Sequence, residues 1–152
     1  MKLNKLVKNI NYIGQSDDRE ILNICHDSRK VKKGTLFIAI AGDQNDGHDY
    51  IFEAIDKGAI AVLANGRSPA TKIVPILQVK NPREVMSKIA ANFYDNPSKE
   101  LNIIGITGTN GKTTTTQIID QILKYCNKSS SSLGTLGFNS PTGIISTGFT
   151  TP

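Results

Sequence analysis

Short apolar runs alternate with amphipathic segments along the first part of the chain. Apolar runs between turn formers are typical of buried strands, and apolar residues at intervals of three and four are typical of helices. The predicted strands are residues 21–25, 35–40, 59–64 and 73–79. The predicted helices are residues 2–10, residues 51–58 and a segment that starts at Asn81-Pro82, a capping residue followed by proline. This alternation predicts an α/β fold with largely parallel strands.

A polar stretch without apolar periodicity, residues 95–100, separates this block from a second one. We therefore predict a small N-terminal α/β domain at residues 1–97 and the beginning of another domain at residues 98–152. In the second block, the pattern predicts a strand at 101–106, a turn at 107–111 and a helix at 112–125. The side chains predicted to face inward from this helix are Ile118, Ile119, Ile122 and Leu123. One strand–helix unit is too little for a doubly wound fold, so the parallel sheet of this domain is predicted to be incomplete.

The turn between that strand and helix has the composition of a phosphate-binding loop, Gly105-Ile-Thr-Gly-Thr-Asn-Gly-Lys-Thr113. Gly108 and Gly111 allow the backbone to turn tightly and bring its N–H groups close to phosphate oxygens. The start of the helix adds a partial positive charge. Lys112 can then reach the β- and γ-phosphates, and the Thr113 hydroxyl is placed to bind Mg²⁺.

The strict form of this loop has glycine where the chain has Ile106, and the glycine stands one residue earlier. The alternative is an ordinary strand–helix turn with polar residues, which a Gly-Lys-Thr sequence between an apolar strand and an amphipathic helix disfavours. We predict ATP or GTP binding in a P-loop nucleotide-binding domain. The predicted nucleotide contacts are Thr107, Gly108, Thr109, Asn110, Gly111, Lys112 and Thr113.

Composition narrows the class of partner. The 152 residues carry a net charge of +5, but the lysines are scattered and no basic strand carries aromatic residues, which disfavours a nucleic-acid partner. A net positive charge also suits a protein that binds anionic nucleotides. Cys25 and Cys126 are far apart and are interpreted as reduced thiols. The chain shows neither a signal peptide nor an apolar run of membrane-spanning length, so we expect a cytoplasmic protein without a membrane span.

Several segments resemble the Mur ligase superfamily. The loop Thr107–Thr113 is similar to the phosphate loop of these enzymes, although folylpolyglutamate synthases share a similar loop. The segments His26–Arg29, Gly34–Gly42 and Asp46–Ile51 resemble the UDP-binding domain shared by the MurE and MurF types. The segments Phe93-Tyr94 with Asn96-Pro97-Ser98, Ser132–Gly137 and Thr150-Thr-Pro152 resemble the MurE type more closely.

The resemblance implies a set of contacts to a UDP-sugar peptide substrate. The residues concerned are Ser28, Asp43, Gln44, Asn45, Thr150 and Thr151. The chemistry of the residues also allows a turn or helix cap at Ser28, turn formation at Gln44 and Asn45, and a frayed terminus at the two threonines. The chain departs from the family at Asp43, where His or Glu is frequent, and at Phe149, where Asn is frequent.

Other polar residues of these segments are assigned structural roles. We expect Asp27 and Arg29 to pair with each other or with nearby backbone. We expect His26 and His48 to be hydrogen-bonded or solvated, because neither has further ligands at metal-binding spacing.

The implied activity is amide-bond formation on UDP-N-acetylmuramoyl-L-alanyl-D-glutamate. ATP with Mg²⁺ would phosphorylate a glutamate carboxylate, and the amine of meso-diaminopimelate or L-lysine would displace the phosphate; Lys112 is the implied catalytic residue. The family's other Mg²⁺ ligands, its modified lysine and its C-terminal domain would lie beyond Pro152, so we expect the 152-residue chain to be inactive by itself. The partners would be small molecules. The sequence does not indicate an oligomeric state, and a monomer is expected for the full-length protein. The alternatives are a MurF-type ligase and a non-catalytic nucleotide-binding module.

Overall fold

The computed structural model describes residues 1–42, 45–69, 71 and 73–145. The chain divides into two compact units, Met1–Asn102 and Ile103–Pro152, and each is described by itself. The break follows the polar stretch that motivated a boundary at 97/98, and the assignment of one substrate domain and one nucleotide domain stays a prediction. Among the helices of the described residues, none is both long enough and apolar enough to cross a membrane.

A parallel sheet of four strands forms the centre of the first unit. The strands are β1 (Asn23–Cys25), β2 (Thr35–Ile38), β3 (Ala59–Ala64) and β4 (Ile76–Gln78). They lie in the order β1-β2-β3-β4, and every neighbouring pair is parallel. Parallel sheets are covered on both faces, which explains why the two central strands are almost wholly apolar. The predicted α/β class with parallel pairing is confirmed, although β1, β2 and β4 are shorter than predicted.

Helices cover both faces of this sheet. The helices are α1 (Leu3–Leu6), α2 (Ile51–Asp56) and α3 (Pro82–Phe93). Successive side chains of a strand point to opposite faces, so Leu36 and Ile38 pack in one apolar cluster while Phe37 packs in the other. The first cluster includes residues of α1 and α3, and the second includes residues of α2.

The ends of two helices differ in how well the sequence predicts them. The side chain of Asn81 accepts hydrogen bonds from the backbone N–H groups of Arg83 and Glu84, at 3.1 and 3.3 Å, so the predicted cap of α3 is confirmed. Helix α1 was predicted to extend to residue 10 but ends at Leu6. Asn9 has a left-handed φ of 63°, which a continuing helix does not allow.

The second unit contains helix α4 (Lys112–Tyr125) and a small antiparallel sheet. Its strands are β5 (Ser132–Gly134), β6 (Gly137–Ser140) and β7 (Gly143–Ile145). Adjacent strands are joined by two-residue turns, with Gly134 opposite Gly137 and Ser140 opposite Gly143. This sheet is not predicted by the sequence pattern, because its strands are short and rich in glycine and serine.

The prediction of a strand at residues 101–106 is wrong. The segment is irregular, and Leu101, Ile103 and Ile104 are exposed. A strand needs a neighbour that pairs with its N–H and C=O groups, and no described strand pairs with this segment. For the same reason, part of the predicted inward face of α4 is wrong: Ile118 and Ile122 are more than half exposed, because the described part of this unit supplies no apolar layer over them.

Candidate functional site

The phosphate loop turns through backbone conformations that favour glycine. Gly108 has a φ of 152° and Gly111 a φ of 78°, both in the range that side chains with a Cβ atom rarely adopt. Gly111 is the residue before α4, and no side chain caps the helix there. The first turn of α4 contains no acidic residue. The N–H groups at the start of this 14-residue helix are therefore available to an anion.

Lys112 folds its side chain back over this loop. Its Nζ atom donates to the carbonyl oxygens of Gly108 at 2.5 Å and Thr109 at 3.4 Å. The residue is exposed, so the ammonium group lies at the open side of the turn. Phosphate oxygens that approached the free N–H groups would meet this cation directly.

Thr113 is exposed in the first turn of α4, and the structure shows no hydrogen bond to its hydroxyl within the described part of the chain. The loop thus combines free N–H groups, a cation and a free hydroxyl, which fits the phosphates of a nucleotide with its Mg²⁺ ion. Over the described ranges, no cluster of three or more His, Cys, Asp or Glu side chains could hold a metal ion. Within that part of the chain, the fit to Mg²⁺ rests on the Thr113 hydroxyl together with the nucleotide's own oxygens.

The candidate substrate residues of the first unit lie at the carboxyl edge of its parallel sheet. Ser28 follows β1, and Asn45 belongs to the loop that follows β2, the neighbouring strand. In open α/β sheets, ligands bind in the crevice outside this edge. Asp43, Gln44, Thr150 and Thr151, which were predicted to contact substrate, lie outside the described residues.

Ser28 is buried, with 8% of its surface exposed. Its hydroxyl donates to Glu53 in α2 over a long 3.4 Å, and Lys57 bonds to the same carboxylate at 2.5 Å. A hydrogen bond of this length is weak. To bind a ligand, the Ser28 hydroxyl must therefore give up its weak hydrogen bond to Glu53.

Asp27, and not Ser28, caps the short 3-10 helix that follows β1. Its carboxylate accepts from the backbone N–H of Arg29 at 3.1 Å and from the Arg29 guanidinium at 2.9 Å. The side-chain hydrogen bond from Arg29 lowers the pKa of Asp27 to about 2. The prediction that these two residues pair with each other is confirmed, and the pair gives the turn at Ser28 a fixed shape.

The loop after β2 closes on itself through backbone hydrogen bonds. Gly42 N–H donates to Asn45 O, and Gly47 N–H donates to Ile40 O, each at 2.9 Å. A Cβ atom at Gly47 would lie 2.7 Å from the backbone nitrogen of Ile40, so only glycine fits there. The second of these bonds holds the end of the loop, where the 3-10 helix Gly47–Tyr50 begins, beside its start after β2.

A buried histidine, His48, lies in the 3-10 helix Gly47–Tyr50 that follows this loop. His48 is 7% exposed, its Nδ1 atom lies 2.5 Å from Asp46 Oδ1, and its Nε2 atom accepts from Asn65 N–H at 3.3 Å. The expectation of a hydrogen-bonded His48 is confirmed, while His26 is exposed. Asn65 was not among the residues predicted from the sequence. The signal that could have identified it is its position directly after β3, the strand next to β2 in a parallel sheet.

A surface cavity of about 410 Å³ opens among residues that follow β2, β3 and β4. Its lining includes Ala41, Asn65, Lys80 and Arg83, and Arg83 donates to the carbonyl oxygen of Ala41 at 3.3 Å. A larger cavity of about 640 Å³ elsewhere in this unit contains none of the predicted site residues. The smaller cavity is therefore the concave part of the carboxyl edge, and Lys80 and Arg83 give it positive charge.

Comparison with known proteins identifies the same two parts of the chain, the parallel sheet and the phosphate loop. The model of the Mur ligase family, catalytic domain, matches residues 20–94, and that of the Mur ligase middle domain matches residues 106–152. The matches cover the parallel sheet with its carboxyl-edge loops and the phosphate loop with α4. The chain belongs to the Mur ligase family.

The curated relatives narrow the comparison to one type within the family. Proteins named UDP-N-acetylmuramoyl-L-alanyl-D-glutamate–2,6-diaminopimelate ligase from Syntrophomonas wolfei and Clostridioides difficile are 44% and 43% identical to this chain. The alignments cover 90% and 100% of this chain, but 28% and 32% of the relatives. The chain thus spans about a third of the length of the curated relatives it matches.

Solved structures show the same fold. A structure of a UDP-N-acetylmuramoyl-L-alanyl-D-glutamate–2,6-diaminopimelate ligase superposes with a TM-score of 0.73 at 22% identity, over 95% of this chain and 29% of the other. MurF ligase from Thermotoga maritima in complex with ADP superposes with a TM-score of 0.56 at 33% identity, over 74% of this chain and 24% of the other.

Proposed function

We propose that this chain provides the substrate-binding unit and the phosphate loop of a MurE-type ligase. That enzyme would use ATP to join a diamino acid to UDP-N-acetylmuramoyl-L-alanyl-D-glutamate in peptidoglycan biosynthesis. The observation that carries the proposal is the 43% identity over the whole chain to a protein with this name. The exposed phosphate loop, with its uncapped helix and folded-back lysine, supplies the chemical reason.

The phosphate loop would hold the nucleotide and stabilise charge during phosphoryl transfer. A glutamate carboxylate oxygen attacks the γ-phosphorus of ATP, the bond to ADP breaks, and an acyl phosphate forms. The amine of the diamino acid then attacks the acyl carbon, loses a proton and expels phosphate. Lys112 and the N–H groups of the loop would face the negative oxygens throughout, which is an electrostatic and positioning role. The Mg²⁺ ion, held in part by Thr113, would neutralise further phosphate charge.

The first unit would bind the nucleotide end of the sugar peptide. Ser28 and Asn45 stand at adjacent strand ends, and Asp43 and Gln44 belong to the same loop as Asn45. We assign Thr150 and Thr151 to the sugar-peptide portion. The proposed enzyme acts in the cytoplasm, as a monomer, on small molecules alone.

An oxygen-transfer experiment tests this chemistry. The dipeptide substrate is labelled with ¹⁸O in its glutamate carboxylate and incubated with the full-length ligase, Mg·ATP and the diamino acid. Because the attacking carboxylate oxygen leaves with the phosphate, we expect ¹⁸O in the released phosphate, measured by ³¹P NMR. Product formation without ¹⁸O in phosphate would contradict the acyl-phosphate route. The control omits the diamino acid and is expected to give no amide product.

A MurF-type ligase is the second candidate, and one observation favours it. The T. maritima MurF structure, a complex with ADP, is 33% identical over its aligned part. The relatives with the MurE name are more similar, at 43% and 44%, and align over more of this chain. The MurE type is therefore the better supported of the two.

A further inference from the structure

The hydrogen bonds of His48 determine which of its ring nitrogens carries the proton. Asn65 N–H is a donor, so Nε2 of the imidazole must accept from it. In the neutral ring, the proton then lies on Nδ1, which donates to Asp46 Oδ1 at 2.5 Å. The ring is 7% exposed, and both of its nitrogens have partners. It is thus poorly placed to act as a base toward substrate.

This imidazole connects two strand ends at the carboxyl edge of the sheet. Asp46 is the N-cap of the 3-10 helix Gly47–Tyr50, which follows the loop after β2. Asn65 is the first residue after β3. A single buried ring thus joins the closing end of the candidate substrate loop to the neighbouring strand.

The other hydrogen bonds of the loop are more local. The bonds Gly42 N–H to Asn45 O and Gly47 N–H to Ile40 O fix the loop to its own two ends. Asp46 Oδ1 also accepts from the backbone N–H of His48, at 3.0 Å. Among the described residues, the side chains that link this loop to other elements are the imidazole, Arg83 through the Ala41 carbonyl at 3.3 Å, and Arg67 through a longer contact of 3.7 Å to Asp46. The backbone adds one link where the loop leaves β2, from Ala39 N–H to Leu63 O at 2.8 Å. Of the side chains that make these links, only His48 is buried.

We infer that His48 is a positioning residue for the UDP-bearing substrate. It holds Asp46, and through Asp46 the loop that carries Asn45, at a fixed place relative to the end of β3. His48 itself does not touch the substrate. The inference rests on the proposed function, because it assigns the loop to the nucleotide part of that substrate.

Two conservative substitutions test the two hydrogen bonds of the His48 ring separately, the bond to Asp46 and the bond from Asn65. His48→Asn keeps a donor near the position of Nδ1 but loses the acceptor for Asn65. His48→Gln keeps an acceptor near the position of Nε2 but loses the donor to Asp46. Since the link needs both halves, each variant is expected to raise KM for the UDP-dipeptide about tenfold in the full-length ligase, the effect of roughly one hydrogen bond.

The remaining kinetic constants distinguish positioning from general damage. In both His48 variants, kcat and the KM for ATP should stay within about twofold of the unsubstituted enzyme, because only binding of one substrate changes. The matched control is Asp49→Asn, an exposed residue of the same 3-10 helix, which should leave all constants within that range. An unchanged KM for the UDP-dipeptide in both His48 variants would overturn the inference. An equal rise in the Asp49 variant, or a parallel change in the KM for ATP, would overturn it as well.

A nitrogen spectrum tests the hydrogen-bond pattern without any turnover. Long-range ¹H–¹⁵N correlation on the 152-residue chain at neutral pH should show His48 as the Nδ1–H tautomer. His26 is exposed and gives the internal reference, and His26→Gln assigns the two signals. The Nε2–H tautomer at His48 would overturn the inference.

If the spectrum is as expected but the unsubstituted ligase makes no product, the proposed function fails and the assignment to substrate positioning fails with it. Normal turnover with unchanged KM in the variants refutes the positioning role alone.

Discussion

Replacing Lys112 with Ala in the full-length ligase is expected to lower kcat by about 10³-fold, the size of effect seen when an electrostatic stabiliser of a transition state is removed. The ammonium group is the one cation that the described structure places over the phosphate loop. Without it, the negative charge of the transferring phosphoryl group would lack this compensation. The measurement is the rate of ADP formation at saturating ATP, UDP-dipeptide and diamino acid.

The fold should tolerate this substitution. Lys112 is exposed, and within the described part of the chain its Nζ atom bonds only to carbonyl oxygens of its own loop, at Gly108 and Thr109. The thermal unfolding midpoint of the variant is therefore expected to match that of the unsubstituted protein. Lys128→Ala, which removes another exposed lysine of the same unit, is the matched control and should retain full activity. Near-normal turnover of the Lys112 variant at saturating ATP would contradict the role assigned to this residue.

Replacing Phe37 with Ala is expected to destabilise the first unit by about 3–5 kcal/mol, through lost burial and a residual cavity. Phe37 is a fully buried residue of β2 and one of the largest side chains of its apolar cluster. Losses of this size approach the whole stability of many small domains, so part of the protein is expected to be unfolded without denaturant. The measurement is urea denaturation of the 152-residue chain, followed by far-ultraviolet circular dichroism.

The chain offers a control with the same chemical change at an exposed site. Phe52 in α2 is 52% exposed, and its replacement by Ala should cost clearly less than that of Phe37. Similar losses of stability for the two substitutions would contradict the packing of β2 between the two helical layers.

The sequence predicts those parts of the fold that depend on local pattern. The apolar runs at 35–40 and 59–64 identify the two central strands, since both of their faces are covered and every residue is apolar or small. The pair Asn81-Pro82 identifies the start of α3, because the cap is formed by neighbouring residues. The Gly-Lys-Thr turn identifies the phosphate loop for the same reason: its conformation depends on glycines within it.

Features that depend on distant partners are not visible in the pattern. The segment at 101–106 is apolar enough for a strand, but pairing needs a neighbouring strand that the described chain does not supply. Ile118 and Ile122 are exposed because the described part of their unit has no apolar layer over them, which the pattern of the helix alone does not reveal. The bond between His48 and Asn65 joins residues that are 17 positions apart, and only the order of strands in the sheet brings them together.

We propose that this chain belongs to an enzyme that adds a diamino acid to the UDP-dipeptide. The most direct test supplies the full-length ligase with Mg·ATP and either of two substrate pairs, and identifies products by mass spectrometry. The pairs are the UDP-dipeptide with diaminopimelate or lysine, and the UDP-tripeptide with D-alanyl-D-alanine. We predict a UDP-tripeptide from the first pair, with one ADP per product, and no product from the second. Formation of the pentapeptide product from the second pair, with none from the first, would contradict the account and identify the MurF reaction instead.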